Sequence, residues 1–595
     1  MPSPAFLVAI PLSAAALLAG FRKLLPRSAA DLIAIFAACA NLALAALWTL
    51  HAVHRTQVYW FGNWFPRGLM APGIGFVMDG AGCSLAFLTA LLTSLALLFS
   101  WKHTDSGGEH YQPLMLIFLA AMSGFAVTAD LFNLFVFFEL MSTAAFALCG
   151  LKTGEPAPLA GAFNFAVTNT VAGFVMLTGI ALLYAATGAL NLAQIGFLLH
   201  GRHDRLVTAA FVFLITGFLV KAAAVPLHFW LPDAHAVAPT SVCVLFSGVM
   251  VELGLFGAIR LYATIFHGCF PGGRISWIFI GAGALSAVGG GVMCFAEHHL
   301  KRLLAFSTVS HVGLMTLAFG LWSRDALSGL FLYLFGHALV KAALFFIAGI
   351  LLHRLRTVSE PWLFAKGRAL RWTAVLWFTG GFGLAAAPLF ALNWGEARIT
   401  ASAPWAELIF LLAGALTGAA VLRVGLRVFL GWGDPGPVDQ AAKVDELPET
   451  GSQHNTIRWF QFVPTVLCLA LAVGLAFSPA VHRAVASTGA ELMDFPAYAH
   501  TVYTGATPAP PAAAAPLHRP NDLTLALLRA LLAALVASWA VFHLRLPHRL
   551  RWPSHLEGSM RLLRDLHSGH PGDYVAWLVA GMAALGGCAF WLGLR

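Results

Sequence analysis

About sixteen long apolar runs constrain this chain more than any other feature of its sequence. They lie near residues 3–21, 30–53, 74–101, 112–128, 130–151, 160–187, 206–230, 239–263, 275–295, 299–322, 325–353, 371–393, 404–431, 459–479, 523–544 and 573–594. Crossing a bilayer as a helix takes about 20 mostly apolar residues. A soluble domain carries about a quarter charged residues; here 10% are charged and 59% are hydrophobic. Such a chain cannot cover a water-facing surface. Continuous apolar runs, rather than short alternating ones, also exclude a β-barrel. The expected fold class is all-α and polytopic transmembrane, with the stretch 371–393 the least regular.

In a soluble protein the formal net charge of +9 would suggest nucleic acid; here the distribution of the charges matters more. With the N-terminus outside, the inner loops and span ends hold 20 of the 35 Lys and Arg residues, and the outer segments hold 12. That bias predicts N- and C-termini both outside a bacterial-type plasma (inner) membrane, with lipid and not nucleic acid as the surroundings. Arg22 and Lys23 follow the first apolar run, the order expected of a retained helix rather than a cleaved signal. The eight cysteines have no zinc-ligand or redox spacing and read as apolar fillers. No phosphate loop, nucleophile elbow or metal cluster is present, so no cofactor, metal or catalytic site is expected.

Three stretches read as aqueous connections: 54–72, with Trp60, Trp64 and Pro66; 432–457; and 503–522, which contains a Pro/Ala-rich tract. The last of them divides the chain into a transmembrane body over 1–505, a linker over 506–522 and a two-helix extension over 523–595.

An ionisable side chain near the bilayer centre costs at least about 2.5 kcal/mol and is a functional candidate by default. Those inside runs are Glu139, Lys221, Glu252, Lys341, Glu396 and Arg423, joined by His311 and His337. Asp79, Asp130 and Arg260 lie near span ends, where water is expected to reach them. Glu139 sits mid-run and is expected to pair with Lys221; a merely neutralised core carboxyl would not explain why a carboxyl is there. A lysine stripped of water can give and take a proton near neutral pH, and Lys221 lies too deep to snorkel.

After Lys221 come Pro226, His228, Pro232, Asp233, His235 and Pro239 within fourteen residues. Prolines remove backbone donors and break helices. Breaks at membrane depth occur only where protein or a wet cavity satisfies the freed groups, so His228 and His235 are expected at its inner mouth. Either alone is as readily a hydrogen-bonded loop histidine. Pro388 and Glu396 mark a second interrupted region, and two such regions suggest two repeats. His337 and Lys341 share a helix face at i, i+4 spacing. A lone histidine in a span is often a satisfied core residue, so His311 and His337 count mainly as members of the set. Arg423 stays charged and reads as a counter-charge or a snorkelling residue. Together the groups form a string at mid-membrane depth, as a proton relay requires. A haem held by His311 and His337 is the rival reading, but the two stand singly on different spans.

The runs Phe137–Ser142, Lys221–Thr240, Leu300–His311 and His337–Lys341 resemble the proton-conducting subunits of one superfamily. It comprises Mrp-type cation/proton antiporters, antiporter-like subunits of complex I and membrane subunits of energy-converting hydrogenases. The resemblance covers roughly residues 70–430. It implies about fourteen core helices with two inverted five-helix repeats, roughly 112–263 and 275–431, two broken helices, and other membrane subunits as partners. It implies a proton pathway through Glu139, Lys221, Glu252, His311, His337, Lys341 and Glu396, with Na+ as a candidate exchanged cation. An accessory role in a hydrogenase or an inorganic-carbon uptake complex is the alternative. Two departures stand out: Glu252 occupies a usual lysine or histidine position, and the second break lacks the usual double proline. The last two spans have no role in the resemblance.

Overall fold

The computed structural model describes the chain except residues 22, 102–107, 271–272, 436–456, 509–521, 544–566 and 592–595. Each expected span contains a helix, although the runs 206–230 and 371–393 are interrupted after Lys221 and Leu384. In chain order these are α1 (Phe6–Gly20), α2 (Arg27–Ala52), α3 (Gly80–Phe99), α4 (Tyr111–Val127), α5 (Leu131–Cys149) and α6 (Pro156–Thr187). A short α7 (Leu192–Leu199) precedes α8 (Arg205–Lys221), α9 (Trp230–Val237) and α10 (Thr240–Cys269). Then come α11 (Arg274–Ala296), α12 (Leu300–Gly320), α13 (Arg324–Leu355), the single turn α14 (Glu360–Leu363), α15 (Arg371–Leu384), α16 (Ala391–Ser402) and α17 (Pro404–Leu430). The chain closes with α18 (Trp459–Ala476), α19 (Pro479–Leu492), α20 (Phe495–Thr504), α21 (Asp522–Phe542) and α22 (Pro571–Trp591). Among the described residues, twelve helices are long and apolar enough to cross a membrane, and α1 and α4 are shorter apolar helices.

The helix starts follow from local chemistry. Asp79, Asp130 and Asp204 each accept from a backbone N–H three residues on, at 2.7, 2.7 and 3.0 Å. A side-chain oxygen at this position satisfies one of the orphan donors of the first turn. Pro156 and Pro479 open α6 and α19, where the missing N–H costs nothing. Burial sorts the helices: α10 and α12 are buried along their apolar windows, whereas α22 is 28% buried over its window and faces outward.

The structure departs from an all-α chain in one small sheet. β1 (Arg55–Trp60) pairs antiparallel with β2 (Gly75–Met78) and with β3 (Ala506–Pro508), in the order β2-β1-β3. The stretch 54–72 is therefore part strand, and the run beginning at 74 enters its helix only at Gly80. β-branched and aromatic side chains alternate buried and partly exposed along β1, a period of two that a search for 20-residue spans passes over. Of the proposed linker over 506–522, residues 506–508 pair in this sheet, 509–521 lie outside the described residues, and α21 already begins at Asp522. Of the connection over 432–457, residues 436–456 lie outside the described residues.

The span-end charges are not water-facing. Arg260 pairs with Asp79 through Nη1–Oδ2 at 2.5 Å and Nη2–Oδ1 at 2.9 Å, and both side chains are buried. Asp130 is buried as well, because the chain turns back over it and caps α5 with its carboxylate. Six of the eight cysteines are buried and all are free, in keeping with their reading as fillers.

Candidate functional site: a buried string of ionisable groups

The helix that carries Lys221 stops at that residue. Ala222, Ala223 and Ala224 donate back to Phe218, Val220 and Leu219, and Ala223 adopts the left-handed φ of 53°. The chain then runs irregularly past Pro226 and His228 to α9, which contains Pro232, Asp233 and His235, and Pro239 leads into α10. The second break follows the same plan. Ala385, Ala386 and Ala387 donate back to Gly381, Gly383 and Phe382; Ala386 takes φ 48°; and Pro388 precedes α16. A non-glycine residue in this conformation stores strain of order 1–3 kcal/mol, which persists only where the surroundings enforce it.

Lys221 is fully buried and donates to Ser142 Oγ at 2.5 Å, with its ammonium 4.5 Å from the centre of the Phe138 ring. It makes no direct ion pair with the expected partner. Glu139 is on the same helix as Ser142, one turn earlier; it is half-buried, and Oε1 lacks a hydrogen-bond partner among the described residues. Its carboxyl lies where a side chain at position 173 would be, so Gly173 on α6 makes room for it. Gly254 does similar work on α10: a Cβ there would fall 2.8 Å from the Lys221 carbonyl carbon. The close approach brings α10 onto the end of α8, and Glu252 sits half a turn away on that helix.

The centre of the site is built by α10, α12 and α13. Within α10, residues 246–250 widen into one π turn that ends two residues before Glu252, the kind of local bulge frequent at functional sites. Glu252 Oε1 contacts His337 Nδ1 at 2.8 Å, with both residues fully buried. The His337 ring stacks on His311 at 5.0 Å and 25°. His311 Nδ1 contacts the Tyr333 hydroxyl at 2.7 Å, and Nε2 contacts Thr417 Oγ1 at 3.1 Å. Lys341 donates to Ser307 Oγ at 2.5 Å and to the Leu304 carbonyl. Beside them the hydroxyls of Ser247 and Thr308 meet at 2.5 Å. With His311 using both ring nitrogens and the two imidazoles face to face, the pair is not disposed to grip a haem from opposite sides.

His235 lies deeper than a cavity mouth. It is fully buried and stacks on Phe345 at 4.8 Å and 12°, and neither ring nitrogen has a hydrogen-bond partner among the described residues. His228 Nε2 lies 3.2 Å from His567 Nε2. Asp233 accepts from Tyr574 at 2.5 Å and lies 3.6 Å from Arg302. Glu396, on α16, is buried and ion-paired with Arg529 of α21.

Arg423 is a counter-charge rather than a snorkelling residue. It pairs with Glu360 at 2.8 Å, and Arg427 and His298 join at 3.0 and 3.1 Å. Burial alone would raise the Glu360 carboxyl, but Arg423, His298 and Arg427 together hold it well below the usual carboxylate range. This cluster ties α14 to α17 and does not contact the central string.

Sequence reasoning missed Ser142, Ser307, Tyr333, Thr417 and Arg529. Two of these had a readable signal: Tyr333 lies four residues before His337 on one helix face, and Arg529 is a lone charge inside the run 523–544.

Residues 128–422 match the family described as NADH:quinone oxidoreductase/Mrp antiporter, TM. The chain is 29% identical over 398 residues to a Na(+)/H(+) antiporter subunit of Alkalihalophilus pseudofirmus, covering 65% of this chain and 78% of that one. It is 34% identical over 299 residues to an NADH-quinone oxidoreductase subunit of Desulforudis audaxviator, covering 49% of this chain and 58% of that one. The fold is shared with a chain of the Mrp complex from Dietzia sp. DQ12-45-1b, with a TM-score of 0.74, 24% identity, and coverage of 84% of this chain and 99% of that one. Through its region 128–422, this membrane chain belongs to the NADH:quinone oxidoreductase/Mrp antiporter transmembrane family.

Proposed function

We propose that this chain is the proton-translocating subunit of a hetero-oligomeric membrane complex, exchanging protons for a monovalent cation such as Na+. The observation that carries the reading is the buried sequence Glu252–His337–His311–Tyr333, with Lys341 beside it, between two helix breaks of matching backbone. Burying so many ionisable groups in a membrane protein is costly and is retained for charge movement. Protons enter at the first break and reach Lys221, whose ammonium passes one to the central string; Lys341 and the histidines relay it, and Glu396 releases it at the second break. Glu139 acts on Lys221 through space: its carboxylate favours the charged lysine, and loss of that charge favours release. The subunit sits in a bacterial-type inner membrane with both termini outside, and 1–505 and 523–595 act as body and extension.

A second reading, redox-driven pumping, is favoured by the identity to an NADH-quinone oxidoreductase subunit. One experiment separates the two. In sealed inverted vesicles holding the native complex, a preformed proton gradient should collapse on addition of Na+ or K+ in wild type. It should persist when Lys341 is replaced by Ala. Proton uptake on addition of NADH but not of cations would support the redox reading. Wild-type behaviour of Lys341→Ala in both assays would sink the relay itself.

A further inference from the structure

The last two helices lie beyond the family match, which ends at residue 422, yet each reaches one of the two breaks. Asp233 and Glu396 stand at one register, ten residues past the left-handed Ala223 and Ala386. Each is met by one helix of the extension. Tyr574 of α22 donates to Asp233, and Arg529 of α21 pairs with Glu396.

The two partners differ in chemistry. A phenol is neutral, and Asp233 keeps partial exposure with Arg302 nearby. Arg529 and Glu396 are 2% and 3% exposed, and Arg529 is the one cation paired with Glu396 among the described residues. A guanidinium keeps its charge at any working pH. A buried carboxylate without such a partner is costly and takes up a proton instead. Arg529 also reaches towards Asn393 Oδ1 at 3.5 Å, on the same helix as Glu396.

We propose that Arg529 is a positioning residue for proton release, holding Glu396 as an ionised, oriented acceptor at the end of the relay. This rests on the role proposed above for Glu396. A proton arriving through His311 and Tyr333 is taken by the Glu396 carboxylate, which becomes neutral and leaves Arg529 without its anion. Loss of that proton to the outlet restores the pair. Arg529 thereby resets the acceptor after each transfer, and the extension belongs to the transport machinery.

The test measures proton flux in vesicles together with the amount of assembled complex. Arg529→Gln is expected to assemble and to lose about tenfold or more of the flux, while Arg529→Lys, which keeps the buried counter-charge but not the guanidinium's fixed geometry, keeps at least about a third. Wild-type flux in Arg529→Gln, or equal loss in the two variants at normal assembly, would overturn the proposal. Should Arg529→Gln fail to accumulate, Arg529→His carries the test within one protein. The groups facing position 529 are Glu396, Asn393, Tyr333 and His311. Flux relative to wild type should then fall about fivefold or more between mildly acidic and alkaline buffer, as the imidazole loses its charge. A ratio independent of pH would overturn the proposal. Glu396→Gln separates the two levels: if it transports normally, the relay reading of Glu396 fails. If it is inactive while Arg529→Gln is normal, the relay stands and this inference alone falls.

Discussion

At the first helix break Ala223 takes φ 53° two residues after Lys221; at the second, Ala386 takes φ 48° two residues after Leu384. The donor pattern of the three alanines is the same at both, and so is the strain. The charges are not placed alike. The first break carries its deep ammonium before the turn, buried against Ser142 and the face of Phe138. The second has leucine there and carries a carboxylate after the turn, paired with an arginine from another helix. One backbone device thus serves two different ends: a cation that can lose its proton at one, an anion that can gain one at the other. A shared fold fixes where a helix opens. In the proposed relay, the side chains on either side of the opening set the direction in which a proton is handed on.

Four sets of changes probe that contrast. Lys341→Ala strikes the centre that both ends share, and should lower flux by about two orders of magnitude per assembled complex, because the ammonium beside the two histidines is lost. Near-normal flux in vesicles would detach the centre from both breaks. Glu252→Lys restores the residue type usual at that position, yet it should cost roughly tenfold. It replaces the carboxylate partner of His337 with a cation. Glu252→Gln should be milder, since it keeps the shape and a hydrogen bond. Flux equal to wild type in Glu252→Lys would make Glu252 a structural carboxyl.

At the first break, Glu139→Ala and Lys221→Ala should be less than additive, with a coupling of about 1 kcal/mol, because each single change leaves the other charge uncompensated. The absence of a direct ion pair keeps that number small. Strict additivity in a double-mutant cycle of flux would show that the two do not communicate. The smallest effect concerns the backbone alone. Ala223→Gly and Ala386→Gly relieve the left-handed strain and should each raise thermal stability slightly, by up to about 1 kcal/mol and by similar amounts. Unfolding of the detergent-solubilised complex reads this directly, and opposite signs at the two sites would undo the backbone half of the comparison.

The spans were legible because hydrocarbon imposes a length that nothing else in the sequence imitates, and the prolines after Lys221 announced a break. The central residues were legible one by one, since each charge in an apolar run calls for explanation. Their partners were not. Ser142 and Ser307 are ordinary hydroxyls until the fold sets them against lysines, and only packing shows that Glu252 reaches His337 or that Asp79 and Arg260 bury each other. The sheet escaped because three- to six-residue strands give no signal at span length. Arg529 escaped because the helix that carries it lies more than a hundred residues from the carboxylate it meets.

The central claim is that the two breaks are the two ends of one path. It is tested most directly by proton flux, in vesicles with equal amounts of assembled complex, for Lys221→Ala, Glu396→Gln and the double variant. Ends in series predict that either single change lowers flux by about tenfold or more and that the double variant is no worse than the more severe single one. Singles that each retain about half the flux, with only the double variant inactive, would mean two independent routes and would contradict the account.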